Sequence, residues 1–525
     1  MTDVRTSGGP SRRTVLGGAT AVGAAGAVTA AGLGGAAHAA ATPVRARSSG
    51  PRLLSPEARH LVGRLSYGLT PDLADRVRRA GGARAWFEAQ LDPSSVADPG
   101  TARLIDWWDG LTLDAATLWE RQVTGVEGGW VVMADYERWT LLRRMRSRRQ
   151  VLEVMTEFWE HHFNVPATGD AAFTHRVPYG REIRKRALGT FEDLLRTAVL
   201  HPAMLIYLNN ADSTKKHPNE NLGRELLELH TVGRENHTED DVKSSARILT
   251  GYRVDLWDTW APYYNELDHW TGPVQVLGFS DPNPSSDGRA LARRYLSFLA
   301  HHPATAQRIA RKLAVKFVRD DPSDALVDRL ASVYLAHGTA IKPVLRALVK
   351  SPEFADSVGA KVRDPNEDVV ATYRVLGIEL ARPTADNSGA NAVLWQAASL
   401  GNRPFGWPRP DGQPVDNVSW SSPSRLIASM SLHRGLSAGW WPTVDTTYRA
   451  PTDWAPSFPV RFDHLVEHVS RLLLHRPASR TLLEACLTAT GCSADEQITA
   501  DHPIMRWRSW NFLTTFLDSP AFLRR

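Results

Sequence analysis

Residues 219–233, NENLGRELLELHTVG, carry two Asn, three Glu, one Arg and one His in a segment otherwise rich in Leu. Turned at about 100° per residue, Asn221, Arg224, Glu225 and Glu228 form a polar stripe. It runs along the edge of a Leu222, Leu226 and Leu229 stripe. His230 lies nearly opposite Glu228, in the last turn before Gly233. Two carboxylates at i and i+3 converge well enough to hold a divalent cation or to serve as acid and base. Arg224 beside them would orient them or clamp an anionic substrate. A plainer reading stands next to this one. Glu220, Arg224 and Glu228 at i, i+4 and i+8 make an ion-pair ladder worth roughly a few tenths of a kcal/mol per pair. A His near a helix C-terminus also suits the helix dipole.

A second cluster is EFWEHHF, residues 157–163. Glu157, Glu160 and His161 share one helical face, while His162 points to the face of Met155, Phe158 and Trp159. A His among aromatics is more often a satisfied core residue than a ligand. The spacing is not the H-E-x-x-H of zinc proteases. A phosphate-binding loop, a dinucleotide fingerprint and a G-x-S-x-G elbow are all missing, which sets aside nucleotide-driven and common serine-hydrolase chemistry. Cys486 and Cys492 are the only cysteines. They can close one small disulfide loop outside the cytoplasm, and two isolated Cys make a poor zinc site.

These residues need rigid elements to hold them, and the pattern predicts helices. Ser55-Pro56 and Thr70-Pro71 are N-cap and first-turn pairs, with Gly68 and Gly81-Gly82 as stops. QVLEVMTEFWEHHF is helical to about Phe163 and ends before Pro166. Thr238 and Asp241 form a capping-box pattern, with Gly251 as stop. The short VGRENH link makes that helix an antiparallel neighbour of the 219–233 helix. In HPATAQRIARKLAVKFV, residues 302–318, Ile309, Leu313 and Phe317 make the apolar stripe, with Arg308, Arg311, Lys312 and Lys316 mostly away from it. Ser351-Pro352 starts another helix. GPVQVLGF, residues 272–279, is the best short strand candidate. Residues 400–460 are dense in Pro, Gly, Asn and Trp. A loop that long is either functional or packs across the body as a cover.

The expected fold class is therefore all-α, a mainly helical bundle-like array with one long Pro/Gly/Trp-rich loop region and at most a short β-hairpin. The chain has 525 residues, 42% hydrophobic and 23% charged, which is globular composition. Most of its 18 Trp are expected to be buried, with a few lining a groove. The net charge is +5, of which the first 39 residues carry +2. So small a charge argues against nucleic acid as a partner. Arg12-Arg13 ahead of a mild Ala/Gly run, then Ala37-His38-Ala39, predicts a twin-arginine-type signal peptide over residues 1–39 and export of the folded chain, secreted or associated with the cell envelope. A linker at 40–53 follows, then a main helical domain at 54–435 and a C-terminal helical segment at 436–525 packed on it. The mature chain is expected to have no transmembrane segment.

Taken in order, these segments resemble the bacterial domain-of-unknown-function 1800 family (DUF1800). HLVGRLSYGLTP (60–71) resembles its opening helix, FWEHHFNV (158–165) its F-W-x-x-H-F segment, and NENLGRELLELHTVG its N-E-N-x-x-R-E-L-x-E-L-H-x-x-G motif. TEDDVKSSARILTGY, the 301–322 segment, SPEF and GNRPFGWPRPDGQP match later parts, for a coverage of about residues 55–435. One segment departs. Where the family reads H-D-x-G-x-K-x-x-L-G, this chain reads HWTGPVQVLG, with Trp270 for the acid and Val274 for the Lys, while His269 is retained. The resemblance implies one pocket built from His162 and the 219–230 stripe. Glu225, Glu228, Arg224 and His162 would be catalytic, and Asn219, Glu220, Asn221, His230 and His269 binding residues. His162 or His230 would be the ligand or proton carrier, with a divalent metal on Glu225, Glu228 and His162. It implies hydrolysis of a polar or polymeric extracytoplasmic substrate, with the 400–430 loop as a lid. The alternative is a non-catalytic partner of an exported sulfatase- or phosphatase-like protein of the domain-of-unknown-function 1501 family.

Overall fold

The computed structural model describes residues 50–167 and 171–525. The signal peptide and most of the linker expected from the sequence lie outside the described residues. The described part belongs to one compact unit. It is mainly α-helical, and its strands pair only into small two-stranded antiparallel sheets. Among the described residues no helix is long and apolar enough to cross a membrane.

Local chemistry starts most of these helices where the capping residues stand. Ser55, Thr70, Thr238 and Ser351 each accept a backbone N–H from the first turn, and Thr238 with Asp241 forms the full capping box. The elements that matter for the site are α1 (Gly129–Arg146), α2 (Gln150–His162), α3 (Phe173–Arg186), α4 (Glu220–Glu225), α5 (Glu239–Ile248) and α6 (Pro303–Phe317). Further along come α7 (Pro365–Leu376), α8 (Pro423–Ala438) and α9 (Ser509–Leu517).

All thirteen residues of α2 are buried, the Glu and His included. A buried carboxylate must be paired, and arginines of the flanking helices supply the pairs. Glu153 takes Arg143 and Arg184 (both 2.6 Å), Glu157 takes Arg144 (2.8 Å), and Glu160 takes Arg176 (2.8 Å). The face that the sequence pattern marks as polar is therefore an interior ion-pair seam between α1, α2 and α3.

Helices α4 and α5 lie against each other. Gly223 makes this possible: a Cβ there would sit 2.8 Å from the backbone nitrogen of Ala246. Two hairpins follow α5. β1 (Tyr252–Val254) pairs with β2 (Pro262–Tyr264), and β3 (Val274–Val276) with β4 (Phe279–Asp281). The second grows from the GPVQVLGF stretch. Two shorter pairs, 379–380 with 446–447 and 460–461 with 497–498, bring the sheet content above the single hairpin expected. Tertiary proximity imposes those two-residue pairings, and periodicity cannot signal anything so short. The chain end returns to the centre: Arg525 pairs with Glu367 of α7, and His433 of α8 lies between Asp368 and Asp518.

Candidate functional site

The 219–233 segment is not one regular helix. After α4 the chain makes a π-helical turn over Leu226–His230. Hydrogen bonds from i to i+5 replace those from i to i+4 there, so an angular wheel at 100° fails beyond Leu226. The Thr231 hydroxyl donates to the Leu226 carbonyl (2.6 Å), and the Gly233 amide to that of Leu227 (2.9 Å). Such turns recur at functional sites.

Within this segment the ladder forms. Arg224 makes a bidentate pair with Glu239 of α5 (2.7 Å twice), and lies 3.2 Å from Glu220 and 3.7 Å from Glu228. Glu228 also accepts from Arg234 (3.0 Å). Asn219 caps α4 by accepting the Asn221 amide, and Asn221 donates to Asn209. Arg224 and Glu239 thus tie α4 to α5. His269 sits in the hairpin region, its ring between the Thr250 carbonyl (3.0 Å) and Asn283 Oδ1 (3.1 Å) and packed under Gly288. None of these contacts reaches His162.

His162 meets a residue of a different helix. Its Nε2–H donates to the His230 backbone carbonyl (3.0 Å), which leaves Nδ1 as an acceptor. Lys312 Nζ of α6 donates to that Nδ1 at 3.1 Å. Burial, the Lys312 charge and His230 hold His162 well below the usual imidazole range, so its ring is neutral. Lys312 has no described carboxylate within 4.0 Å. Burial and the nearby Arg308 push its amine down to about 7. His230 is sealed, its ring nitrogens unpartnered, and burial with Lys312 and Arg308 pushes it down to about 3. Its backbone carbonyl, rather than its ring, enters the group.

The Pro/Gly/Trp loop covers this end of α2. Asn164 Nδ2 donates to the carbonyls of Trp407 and Arg409, and the Ala167 amide to that of Phe405. Gly412 crosses α2 so closely that a Cβ would lie 1.8 Å from the His161 carbonyl oxygen, at a φ of +75°. Trp407 Nε1 donates to Asp411 (2.8 Å), which fixes that carboxylate. Asp411 acts electrostatically on Lys312, Glu225 and Tyr207 alike, which locates it among them. Tyr207 donates to the Pro408 carbonyl. Glu225 is half-buried, and no described side chain bonds to it. Burial and its neighbours Glu228 and Asp411 raise its pKa. Lys312, Glu225 and Asp411 all remain partly solvent-exposed.

Among the described residues, two groups bring three metal-ligating side chains within 4.8 Å of one another: Glu157, Asp364 and Glu367, and Cys492, Glu496 and His502. Glu225, Glu228 and His162 are not such a group: Nδ1 of His162 faces an amine, and Glu228 is held by two guanidiniums. In the first group Lys316 Nζ takes the cation position, 2.8 Å from Glu367, 3.6 Å from Asp364 and 3.9 Å from Glu157. In the second, His502 Nδ1 accepts the Ile504 amide, so its Nε2 carries the proton and donates to Glu496 (3.0 Å). Cys486 and Cys492 are both free thiols, not a disulfide; burial pushes Cys486 up to about 12.

Lys312 and Asp411 are the residues the sequence reading did not single out. A signal exists for Lys312. Arg308, Lys312 and Lys316 are spaced i, i+4, i+8, and α6 contains no acidic residue. Cations lined up without partners on their own helix must find them elsewhere.

A helical body with a lysine–histidine contact beneath a Pro/Gly/Trp-rich loop is the class that fold and geometry define. Residues 60–524 match the family described as "Protein of unknown function (DUF1800)", and the chain belongs to that family. The match runs through the C-terminal helices, well beyond the segments whose motifs are legible. No curated protein and no solved structure gives a significant match.

Proposed function

We propose that this is an exported protein whose Lys312, His162, Glu225 and Asp411 form an acid–base site for hydrolysis of a polar extracytoplasmic substrate. The Arg12-Arg13 signal pattern supports export. The observation that carries the chemistry is the 3.1 Å contact between Lys312 Nζ and Nδ1 of a histidine that cannot take up the charge. In the neutral amine one N–H is committed to Nδ1 and the lone pair is free for a water reaching the exposed side of Lys312. That water loses a proton to Nζ and its oxygen bonds to the electrophilic centre. Glu225, its pKa raised by burial and by Glu228 and Asp411, gives a proton to the departing group as that bond breaks. His162 is a positioning residue here, and Arg224 is a brace.

Competitive acetylation with trace acetic anhydride across pH 6–10, read by mass spectrometry, tests the site. Lys312 is expected to become reactive with a midpoint near 7, and His162→Gln to shift that midpoint. Reactivity appearing only with the other lysines, above pH 9, would overturn the reading. The alternative, a non-catalytic partner of a family-1501 protein, draws on the Arg224–Glu239 brace and on Trp270 and Val274. It requires copurification that survives Lys312→Met.

A further inference from the structure

Far along the chain from Lys312, a concavity opens where α8, α9 and the 440–454 segment meet. Its volume is about 420 Å3, within the roughly 300–1,000 Å3 typical of ligand pockets. Trp440, Trp454, Trp507 and Trp510 wall it together with Arg449 and Arg506. Four indoles on one cavity are a large share of the 18 in the chain. They are not hidden: Trp507 is 67% exposed and Trp440 56%. Trp454, by contrast, is buried, so the aromatic wall runs from solvent into the body.

The guanidiniums fix the character of the cavity. Arg434 stands 4.3 Å from the Trp510 ring and 5.2 Å from that of Trp440, and Arg449 stands 4.4 Å from Trp454. Set over an indole face, each guanidinium is held in place. Among the described residues neither Arg434 nor Arg449 has a carboxylate within 4.0 Å; Arg449 donates only to the Asp453 carbonyl. Arg506 has Asp501 (2.5 Å). The positive charge around the cavity therefore exceeds the negative. The Ser437 hydroxyl on the same wall has no partner.

We propose that this cavity binds an anionic saccharide, a chain carrying carboxylate or sulfate groups. A pyranose presents C–H bonds on its faces and hydroxyls at its rim. The faces stack on flat indoles, and a carboxylate or sulfate pairs with a preoriented guanidinium through two N–H bonds. Indoles set into a concave wall suit a ring that enters. Indoles that insert into a lipid interface project together from a convex surface, and here one of the four is buried. The site is independent of Lys312.

Titration calorimetry at low salt against trigalacturonate, neutral maltotriose and anionic phosphatidylglycerol vesicles separates the occupants, with a chondroitin sulfate tetrasaccharide as the sulfated arm. Trigalacturonate, the sulfated tetrasaccharide or both are expected to bind and to weaken with added salt. Trp507→Ala and Arg449→Ala should each weaken binding at least tenfold, and Lys312→Met should leave it unchanged. Both substituted residues lie at the cavity surface, and unchanged circular dichroism confirms folding. Equal binding of maltotriose, binding of vesicles alone, no binding of any probe at millimolar concentration, or binding indifferent to Trp507→Ala and Arg449→Ala would each overturn the proposal.

Discussion

Lys312 and Lys316 stand one turn apart on α6, and the protein treats them in opposite ways. Lys316 is 6% exposed and ringed by Glu157, Asp364 and Glu367, with its pKa raised. The carboxylates around it outnumber it, and burial with its two acidic neighbours pushes Asp364 up to about 7. Lys312 is half-buried, has a neutral imidazole for a partner and has its pKa lowered. Both side chains are drawn from water, yet only one is compensated. A compensated buried charge is a brace. An uncompensated one that is only partly covered is an amine whose protonation can change near neutral pH.

Substitution should separate the two most sharply. Lys316→Met leaves three interior carboxylates with Arg144 and Arg525 as their remaining direct ion pairs. The expected loss is about 3–5 kcal/mol of unfolding free energy, read by urea denaturation at pH 7. Lys312→Met removes a strained charge and should cost far less, or stabilise. Equal losses in the two variants would erase the distinction.

The loop that covers the end of α2 comes next. Gly412 combines a φ of +75° with the His161 carbonyl where a Cβ would be. Gly412→Ala should cost about 1–3 kcal/mol in strain and lift the cover. Urea denaturation gives the first. Faster protease cleavage near residue 410 gives the second, and unaltered cleavage would mean that the loop is held elsewhere.

How much of this was legible follows from the range of each interaction. Helix starts were readable at Ser55, Thr70, Thr238 and Ser351, because a cap bonds to its own first turn. The first strand of the second hairpin was readable from GPVQVLGF, though its turn at Leu277-Gly278 was not, and the cover was readable from its Pro and Gly content. The interior of α2 was half-legible: three Glu on a helix signal pairing, but Arg143, Arg144, Arg176 and Arg184 come from other helices. The π turn was not legible, since Leu226–His230 has ordinary helix-forming residues and tertiary packing selects the i to i+5 bonds. It misdirected the angular placement of Glu228 and His230. Arg224 looked like part of a site because its strongest partner, Glu239, comes from α5, beyond the reach of a single-helix pattern.

A pH series sharpens the comparison through stability alone. Lys312 has an ordinary pKa of 10.5 and a folded one of about 7. Between those values the unfolded chain holds a proton that the folded protein has lost, so stability rises with pH. His433, between Asp368 and Asp518, is shifted the other way, from 6.5 up to about 9, chiefly by Asp368 working against burial. Its contribution is complete below pH 6.5 and is lost as pH climbs through 9. Urea midpoints taken from pH 6 to 9.5 should therefore rise less steeply in Lys312→Met than in the wild type, and fall less steeply in His433→Gln. Parallel curves for all three proteins would remove the basis for treating Lys312 as titratable near neutrality.

The smallest effect belongs to the residues that looked most functional. Glu220 is partly exposed, and its 3.2 Å contact to Arg224 competes with the bidentate Glu239 pair. An exposed pair of that kind contributes roughly a few tenths of a kcal/mol, so Glu220→Ala should shift the urea midpoint by little more than experimental error. Arg224→Ala breaks three contacts at once and should cost more, though still less than Lys316→Met, because water replaces the lost partners on that surface. If Arg224→Ala instead rivals Lys316→Met, the ladder carries stability that its exposure does not account for. The α4–α5 brace would then join the Lys316 cluster as a second structural anchor, leaving Lys312 more clearly the exception.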